Sequence, residues 1–563
     1  MNSIVQIIFP FVLMLIPFSS FSQTIVKTWE VNHSEMFVDY KSTIDSNNHI
    51  HAITHGSSAT SAPYQCSKYD GGGSLSSTFS TIISGGANDF KMTSMAIDNN
   101  GNRVIVGHTT GNFNPSAGCY QSAFGGGLYD GFIEVVNNTN QILWSTFFGG
   151  PNIEEISSCC TDVNGNVYIT GVTRSFQGIA SPGAFQTQNN TDTITSAYGN
   201  YGCELFAAKF NSFGVLQWST YFGSKMDETQ GYGGYVNGGG EGKSIAVDNN
   251  GNVFIIGYQE NNYAIVGNLV LSTPGSFFPN YDYSITHSSA CFLVKFDTNG
   301  NRVWCTYLPG ETYGCQTDNQ NNIVVFGQTR SNTLVSSSNA PQPNLSVASD
   351  GFIIKFNTNG APIWGTYLGG NGDEGIFSCE TNTNGDLLVC GNTSSTNNIS
   401  TPNGPQPNLS VNPPWTNSNA FLVKYDNSGN RIWGTYFNDN FDNTYGMSCL
   451  FGNGFYYLLA NGAIDSYIIK YSESLSSVND IKSDDNALNV FPNPSLDGHL
   501  NIDIKGKQNH VQSLDVYNLF GEKLYSNIKF NSNTLDLSFL TSGIYLLKLS
   551  VNEQVCVRKI IIK

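Results

Sequence analysis

Through most of this chain apolar and polar residues alternate in short runs broken by Asn, Asp and Gly, the pattern of half-buried β-strands joined by tight turns. Three phrases recur. One is a strand ending in Trp-x-Thr-Tyr/Phe: LWSTFFGG (143–150), QWSTYFG (217–223), VWCTYLPG (303–310), IWGTYLGG (363–370) and IWGTYF (432–437). A second pairs two strands about an Asn-Gly turn: MAIDNNGNRVIVG (95–107), CCTDVNGNVYITG (159–171), IAVDNNGNVFIIG (245–257) and CETNTNGDLLVCG (379–391). The third is a short apolar strand with one lysine: LFAAKF, CFLVKF, GFIIKF, AFLVKY and SYIIKY. Asn-Gly between apolar runs marks a hairpin, because both central residues accept positive φ. Each unit therefore reads as a four-strand antiparallel meander with tight turns after its first and third strands.

The turn phrase falls near Asp45, Asp98, Asp162, Asp248, Asp318 and Asn382, with a looser copy at 451–459, which makes seven units. Four-stranded sheets repeated radially are what a β-propeller requires, each blade burying one face on the next. The last unit has no Trp strand after 466–471, whereas an orphan strand, TIVKTWEV (24–31), precedes the first. That strand is expected to complete the last blade and hide a free edge. The units resemble the seven-bladed β-propeller repeat family, whose consensus joins Trp-x-Thr-Tyr-Leu-Gly-Gly, Asp-x-x-Gly-Asn-Val-Tyr and Asp-Ala-Phe-Val-x-Lys. The resemblance spans 24–471 and implies a fold with no single activity.

A polar stretch, SESLSSVNDIKSDDN, follows and reads as a linker. Beyond it, LNVFPNPSLDGHLNIDI (488–504), SLDVYNLFGEKLYS (513–526), TLDLSFLTSGIYLLKLS (534–550) and VCVRKIIIK (555–563) alternate like a compact β-sandwich. Their order closely resembles the type A sorting domain of type IX secretion in Bacteroidota. The resemblance implies transit of the outer membrane, then removal of the domain with release or attachment to surface lipopolysaccharide, and hence the secretion machinery as partner. The expected organisation is all-β: a signal peptide at 1–22, a seven-bladed propeller of four-stranded antiparallel blades at 23–471, a linker at 472–487 and a small immunoglobulin-like β-sandwich at 488–563.

Composition narrows the function. Net charge is −17 with only 12% charged residues, so the surface repels phosphate backbones and nucleic acid is excluded as a partner. The N-terminus, MNSIVQIIFPFVLMLIPFSSFSQ, carries an apolar run and small residues at Ser20 and Ser22 before a cut at Gln23, the form of a signal peptide. The expected address is the exterior or outer cell surface, and the expected state a monomer.

Twelve cysteines in an exported chain suggest disulfides. Yet Cys159, Cys315, Cys379 and Cys449 share one first-strand slot, which reads as core filling by a small apolar side chain. The DNNGN-type turns lack the span and distal Glu of a calcium loop and read as hairpins. No metal-ligand spacing of His, phosphate loop or nucleophile elbow is present, and no cofactor is implied. Acids recur in the loops that enter each first strand: Asp89, Glu154 with Glu155, Asp227 with Glu228, Glu311, Asp373 with Glu374, and Asp442. These loops share a face with long connections (173–202, 259–288, 328–349 and 392–418), where binding surfaces grow, and Tyr283, Tyr313 and Trp415 are the loop aromatics of interest. The acids either ring a channel mouth, taking a cation or sugar hydroxyl, or cap their own loops. Two readings follow: a non-catalytic propeller that binds glycan or a surface protein, or a polysaccharide-degrading enzyme with its site on the long-loop rim, for which no carboxylate pair stands out.

Overall fold

The computed structural model describes residues 23–33, 35–37, 41–56, 64–79, 90–190, 203–223, 240–259, 271–281, 290–333, 335–346, 349–409, 418–438, 443–462, 465–475, 488–504, 511–517, 523–528, 534–551 and 554–563. The expected signal peptide lies outside them. The chain divides into two compact units, Thr24–Glu473 and one that holds Ser474–Lys563. All secondary structure among the described residues is β.

In Thr24–Glu473 the described strands form seven sheets of four or five strands each. One sheet lines up Glu154–Thr161, Val167–Thr173, Glu204–Phe210 and Leu216–Phe222 as an antiparallel meander, with Ile169 opposite Cys159 and Ala208. The N-terminal strand Gln23–His33 is hydrogen-bonded to Ser466–Leu475 and so stands in the sheet of the last repeat. First strands of consecutive sheets pack on one another, and Tyr445–Gly452 of the last repeat also packs on Thr43–Ile44 of the first.

The turns depart from the expectation in their type. In 297–301 the Gly300 N–H donates to Asp297 O at 3.1 Å, the Asp297 N–H to Asn301 O at 2.9 Å, and Gly300 alone has positive φ, +81°. This is a type I turn followed by a glycine bulge, not a two-residue turn with both central residues left-handed. The reason is the Asp: its Oδ1 accepts the N–H groups of Asn299 and Asn301, both at 2.9 Å, and holds the wider loop. Asp98, Asp162, Asp248 and Asp318 do the same in their turns.

Tryptophans join neighbouring sheets. Trp144, Trp218, Trp304 and Trp364 each donate their indole N–H to a turn carbonyl of the next repeat, at Ser212, Thr298, Thr358 and Asn427, over 3.0–3.1 Å. Each ring lies against the turn glycine there: Gly214, Gly300, Gly360 or Gly429. A second glycine requirement sits on the second strand of four repeats, opposite a bulge in the first. Gly107, Gly171, Gly327 and Gly391 pass so close to the opposite strand that a Cβ would meet a carbonyl oxygen at 1.8–2.0 Å. The four same-slot cysteines are buried in the core, each a free thiol.

The C-terminal unit has two antiparallel sheets, one of Leu488–Phe491, His499–Ile504 and Thr534–Asp536, the other of Lys523–Ile528, Val511–Tyr517, Gly543–Val551 and Gln554–Ile562. They share one core that includes Leu500, Leu514, Val516, Leu547 and Ile560.

Candidate functional site: a channel walled by the first strands

The first strands surround a cavity of about 970 Å³. Counting back from the turn residue places its lining in layers. Seven positions before the turn, at the end where chains enter the first strands, stand Lys91, Glu155, Glu241 and Glu311. Four positions before it stand Lys41, Ser94, Ser158, Ser244, Gly314 and Ser378, and two before it Cys160, Gln316 and Glu380.

The serine layer fastens strand to strand. The Oγ atoms of Ser94, Ser158 and Ser244 accept the N–H groups of Cys159, Ile245 and Cys315 in the next first strand, at 3.3–3.4 Å. Ser448 likewise accepts the N–H of Ser42 at 3.0 Å, joining the last repeat to the first. Lys41 stands where a serine would be. Its ammonium instead reaches to Ser158 Oγ (2.8 Å) and Ile245 O (3.3 Å), so one cation spans the channel to the third and fourth repeats. Below it, burial pushes the Glu380 carboxyl up to about 7, against the pull of the Lys41 charge.

At the entrance, Glu241 accepts the Tyr258 hydroxyl at 2.7 Å and pairs with Lys243 at 3.5 Å, while Lys243 lies over the Tyr258 ring. Tyr313 donates toward Glu311 (3.2 Å) and Gln328 (3.0 Å), and its ring meets Phe377 edge-on at 5.4 Å. His108 also lines the cavity, with Nδ1 buried and unpartnered. Burial, then the nearby Lys91 charge, lowers its pKa to about 4.

Of the residues singled out from sequence, Glu155, Glu311 and Tyr313 stand at this entrance. Glu154 is fully buried and caps its own loop, accepting the Gly150 N–H at 2.7 Å and the Thr173 hydroxyl at 2.6 Å. Asp373 is exposed, with its backbone N–H on Ser394 Oγ. Asp89, Asp227, Asp442, Tyr283 and Trp415 lie outside the described residues. The entrance residues not anticipated are Lys91, Glu241, Lys243 and Tyr258. Alignment on the turn Asp would have found Lys91 and Glu241, which stand seven positions before it like Glu155 and Glu311. Among the described residues no group of three or more His, Cys, Asp or Glu could hold a metal ion.

Residues 489–563 match the secretion system C-terminal sorting domain family. The end of the C-terminal unit is therefore an export tag. A sorting domain of this kind directs export through type IX secretion to the cell surface or beyond, and the tag engages that machinery. An uncharacterized WD repeat-containing protein of Acanthamoeba polyphaga mimivirus is 25% identical over 331 residues, covering 52% of this chain but 23% of that protein. The chain thus spans less than a quarter of that relative's length. Solved structures with likeness include a protein of unknown function from Bacteroides caccae (9% identity, TM-score 0.33, 70% of this chain and 96% of that one). Others are a quinonprotein alcohol dehydrogenase-like protein from Bacteroides thetaiotaomicron (10%, 0.31, 71% and 67%) and a protein of unknown function from Dyadobacter fermentans (7%, 0.35, 80% and 100%). TM-scores this low bear on neither fold detail nor activity.

Proposed function

We propose that the exported chain is a closed seven-bladed β-propeller, 23–471, followed by a linker and an immunoglobulin-like sorting domain, and that it acts as a monomeric, non-catalytic binding module whose ligand enters the central channel. Closure is supported by the N-terminal strand in the last sheet and by the Ser42–Ser448 bond. The observation that carries the binding reading is the entrance itself. Carboxylates on Glu155, Glu241 and Glu311, ammonium groups on Lys91 and Lys243, and the rings of Tyr258 and Tyr313 converge on one mouth. Closely spaced acceptors, donors and aromatic faces suit a hydroxyl-rich ligand, so a surface glycan is the ligand class.

Glycan-array and calorimetric binding with the full exported chain test this. Glu311→Gln and Tyr313→Ala should each weaken the best glycan about tenfold or more, the effect of losing one or two polar contacts. Unchanged affinity in both would remove the channel mouth as the site. Turnover of a glycan by the wild type, abolished in Glu155→Gln or Glu311→Gln, would replace binding with polysaccharide hydrolysis.

A further inference from the structure

Two seams between neighbouring sheets contain the same arrangement of buried carboxyls, and the channel does not use it. Asp130 opens the third strand of one repeat and Glu154 the first strand of the next; Asp350 and Glu374 hold the corresponding places three repeats on. All four are at most 1% exposed. A glycine separates each pair only nominally. A Cβ on Gly149 would lie 2.6 Å from Asp130 Oδ1 and 2.8 Å from Glu154 Oε2, and one on Gly369 would lie 2.3 Å from Asp350 Oδ1 and 2.7 Å from Glu374 Oε2. Glycine is needed there because two carboxyls already occupy the space.

The surrounding donors are also repeated. Glu154 and Glu374 each take a glycine N–H on Oε2, from Gly150 (2.7 Å) and Gly370 (3.0 Å), and a threonine hydroxyl on Oε1, from Thr173 and Thr393 (both 2.6 Å). Asp130 Oδ2 accepts from Gly125 N–H and Gln121 Nε2, and Asp350 Oδ2 from Ser346 N–H and Gln342 Nε2. The Ser346 hydroxyl also bonds Asp350 Oδ1, whereas Asp130 Oδ1 is buried with no partner beside Gly149, which Glu154 Oε2 also approaches. The charged or titratable neighbours are the carboxyls themselves, Asp373 beside Asp350, and the phenols Tyr221 beside Glu154, Tyr367 beside Asp350 and Tyr436 beside Glu374. None of these supplies a positive charge.

Two ionised carboxylates buried against one glycine, with no cation beside them, repel each other, and a proton on one of them relieves that repulsion. A calcium ion needs six or more oxygen ligands. Here most of the carboxylate oxygens already face N–H or O–H donors, whose positive ends would repel a cation. A proton needs only one oxygen from each side. We propose that each pair holds one shared proton, linking Asp130 to Glu154 and Asp350 to Glu374, so that two seams of the ring are fastened by protonation and loosen as pH rises. The seam that follows the Asp130–Glu154 seam serves as an internal comparison. There Glu204 takes the place of Asp130, but the position corresponding to Glu154 is Gly240, and no pair forms.

The sign follows from the direction of the shift. Burial, reinforced by the neighbouring carboxyl, holds Asp130 and Glu374 up at about 7 against the usual carboxylate range. The folded chain therefore keeps protons that the unfolded chain has released. The stabilisation is complete at low pH and is lost as pH climbs toward and through 7.

The test is urea unfolding of the full exported chain between about pH 5 and pH 8, where the slope of stability with pH counts protons bound on folding. Asn at position 130 or 350 can donate to its partner Glu without titrating. Asp130→Asn/Asp350→Asn should therefore reduce proton uptake by about two near pH 6, leaving the contributions of Glu204 and Glu380 in place. An unchanged slope in a variant with the wild-type circular dichroism spectrum overturns the proposal. If the variant fails to fold, infrared difference spectra of the wild type across the same range decide instead. A protonated-carboxyl band that titrates away supports the shared proton, and its absence refutes it. Calcium that stabilises the wild type at pH 8 but not the variant would assign the pairs to a metal and overturn the proposal.

Discussion

Replacing Gly300 by alanine isolates the contact that ties one repeat to the next. Gly300 has φ of +81° and lies under the Trp218 ring of the preceding repeat; a Cβ there would be 2.7 Å from Trp218 Cδ2 and 2.9 Å from Cε3. Three costs combine. The left-handed backbone costs alanine about 1–2 kcal/mol. Displacing a packed indole in a core costs about 1–3 kcal/mol. Lifting that ring also stretches its 3.0 Å bond to Thr298 O, worth about 1 kcal/mol. The expected loss is about 3–6 kcal/mol. Gly101 provides a matched control: it has φ of +77° in the same kind of turn, and a Cβ would meet no atom within 4 Å. Gly101→Ala should therefore lose only the backbone term, about 1–2 kcal/mol. Urea unfolding of both variants at one pH measures the difference directly. Equal losses would show that the tryptophan–glycine contact carries no stability across the seam, and the account of how repeats are joined would fail.

Lys355 and Asp318 form a buried ion pair at 2.7 Å, in which burial of the Asp318 carboxyl is outweighed by the Lys355 bond, so its pKa is lowered. Lys355→Met should cost about 3–5 kcal/mol by stranding a carboxylate, and adding Asp318→Asn should recover much of it; no recovery would show that packing alone was lost. Removing 24–31 takes the strand that pairs with Ser466–Leu475 out of the last sheet, so thermal melting should fall by many degrees, whereas an unchanged melting temperature would disprove its role in closure. A chain ending before Ser477 lacks the sorting domain and should be retained within the envelope by cell fractionation; its normal display on the surface would refute the sorting role.

Repetition made much of this protein legible from its residues. A strand period of two, an Asp that caps its own turn and a glycine forced by positive φ act within a few residues. They read the same in every copy, and so predicted the four-strand units. The export tag was legible for the same reason, as phrases in fixed order. Tertiary structure alone decided which acids meet. Glu154 and Glu155 are adjacent and chemically alike, yet the first is sealed in a seam and the second lines the channel. A bulge between Ile156 and Ser158 shifts the register of that strand, so alternation counted from the turn no longer predicts the facing of residues beyond it. Lys41 crossing to Ser158, and Asp130 meeting Glu154, depend on how one sheet seats on the next. That placement is set by side chains distant in sequence, such as Trp218 on Gly300, and no local pattern along the chain encodes it.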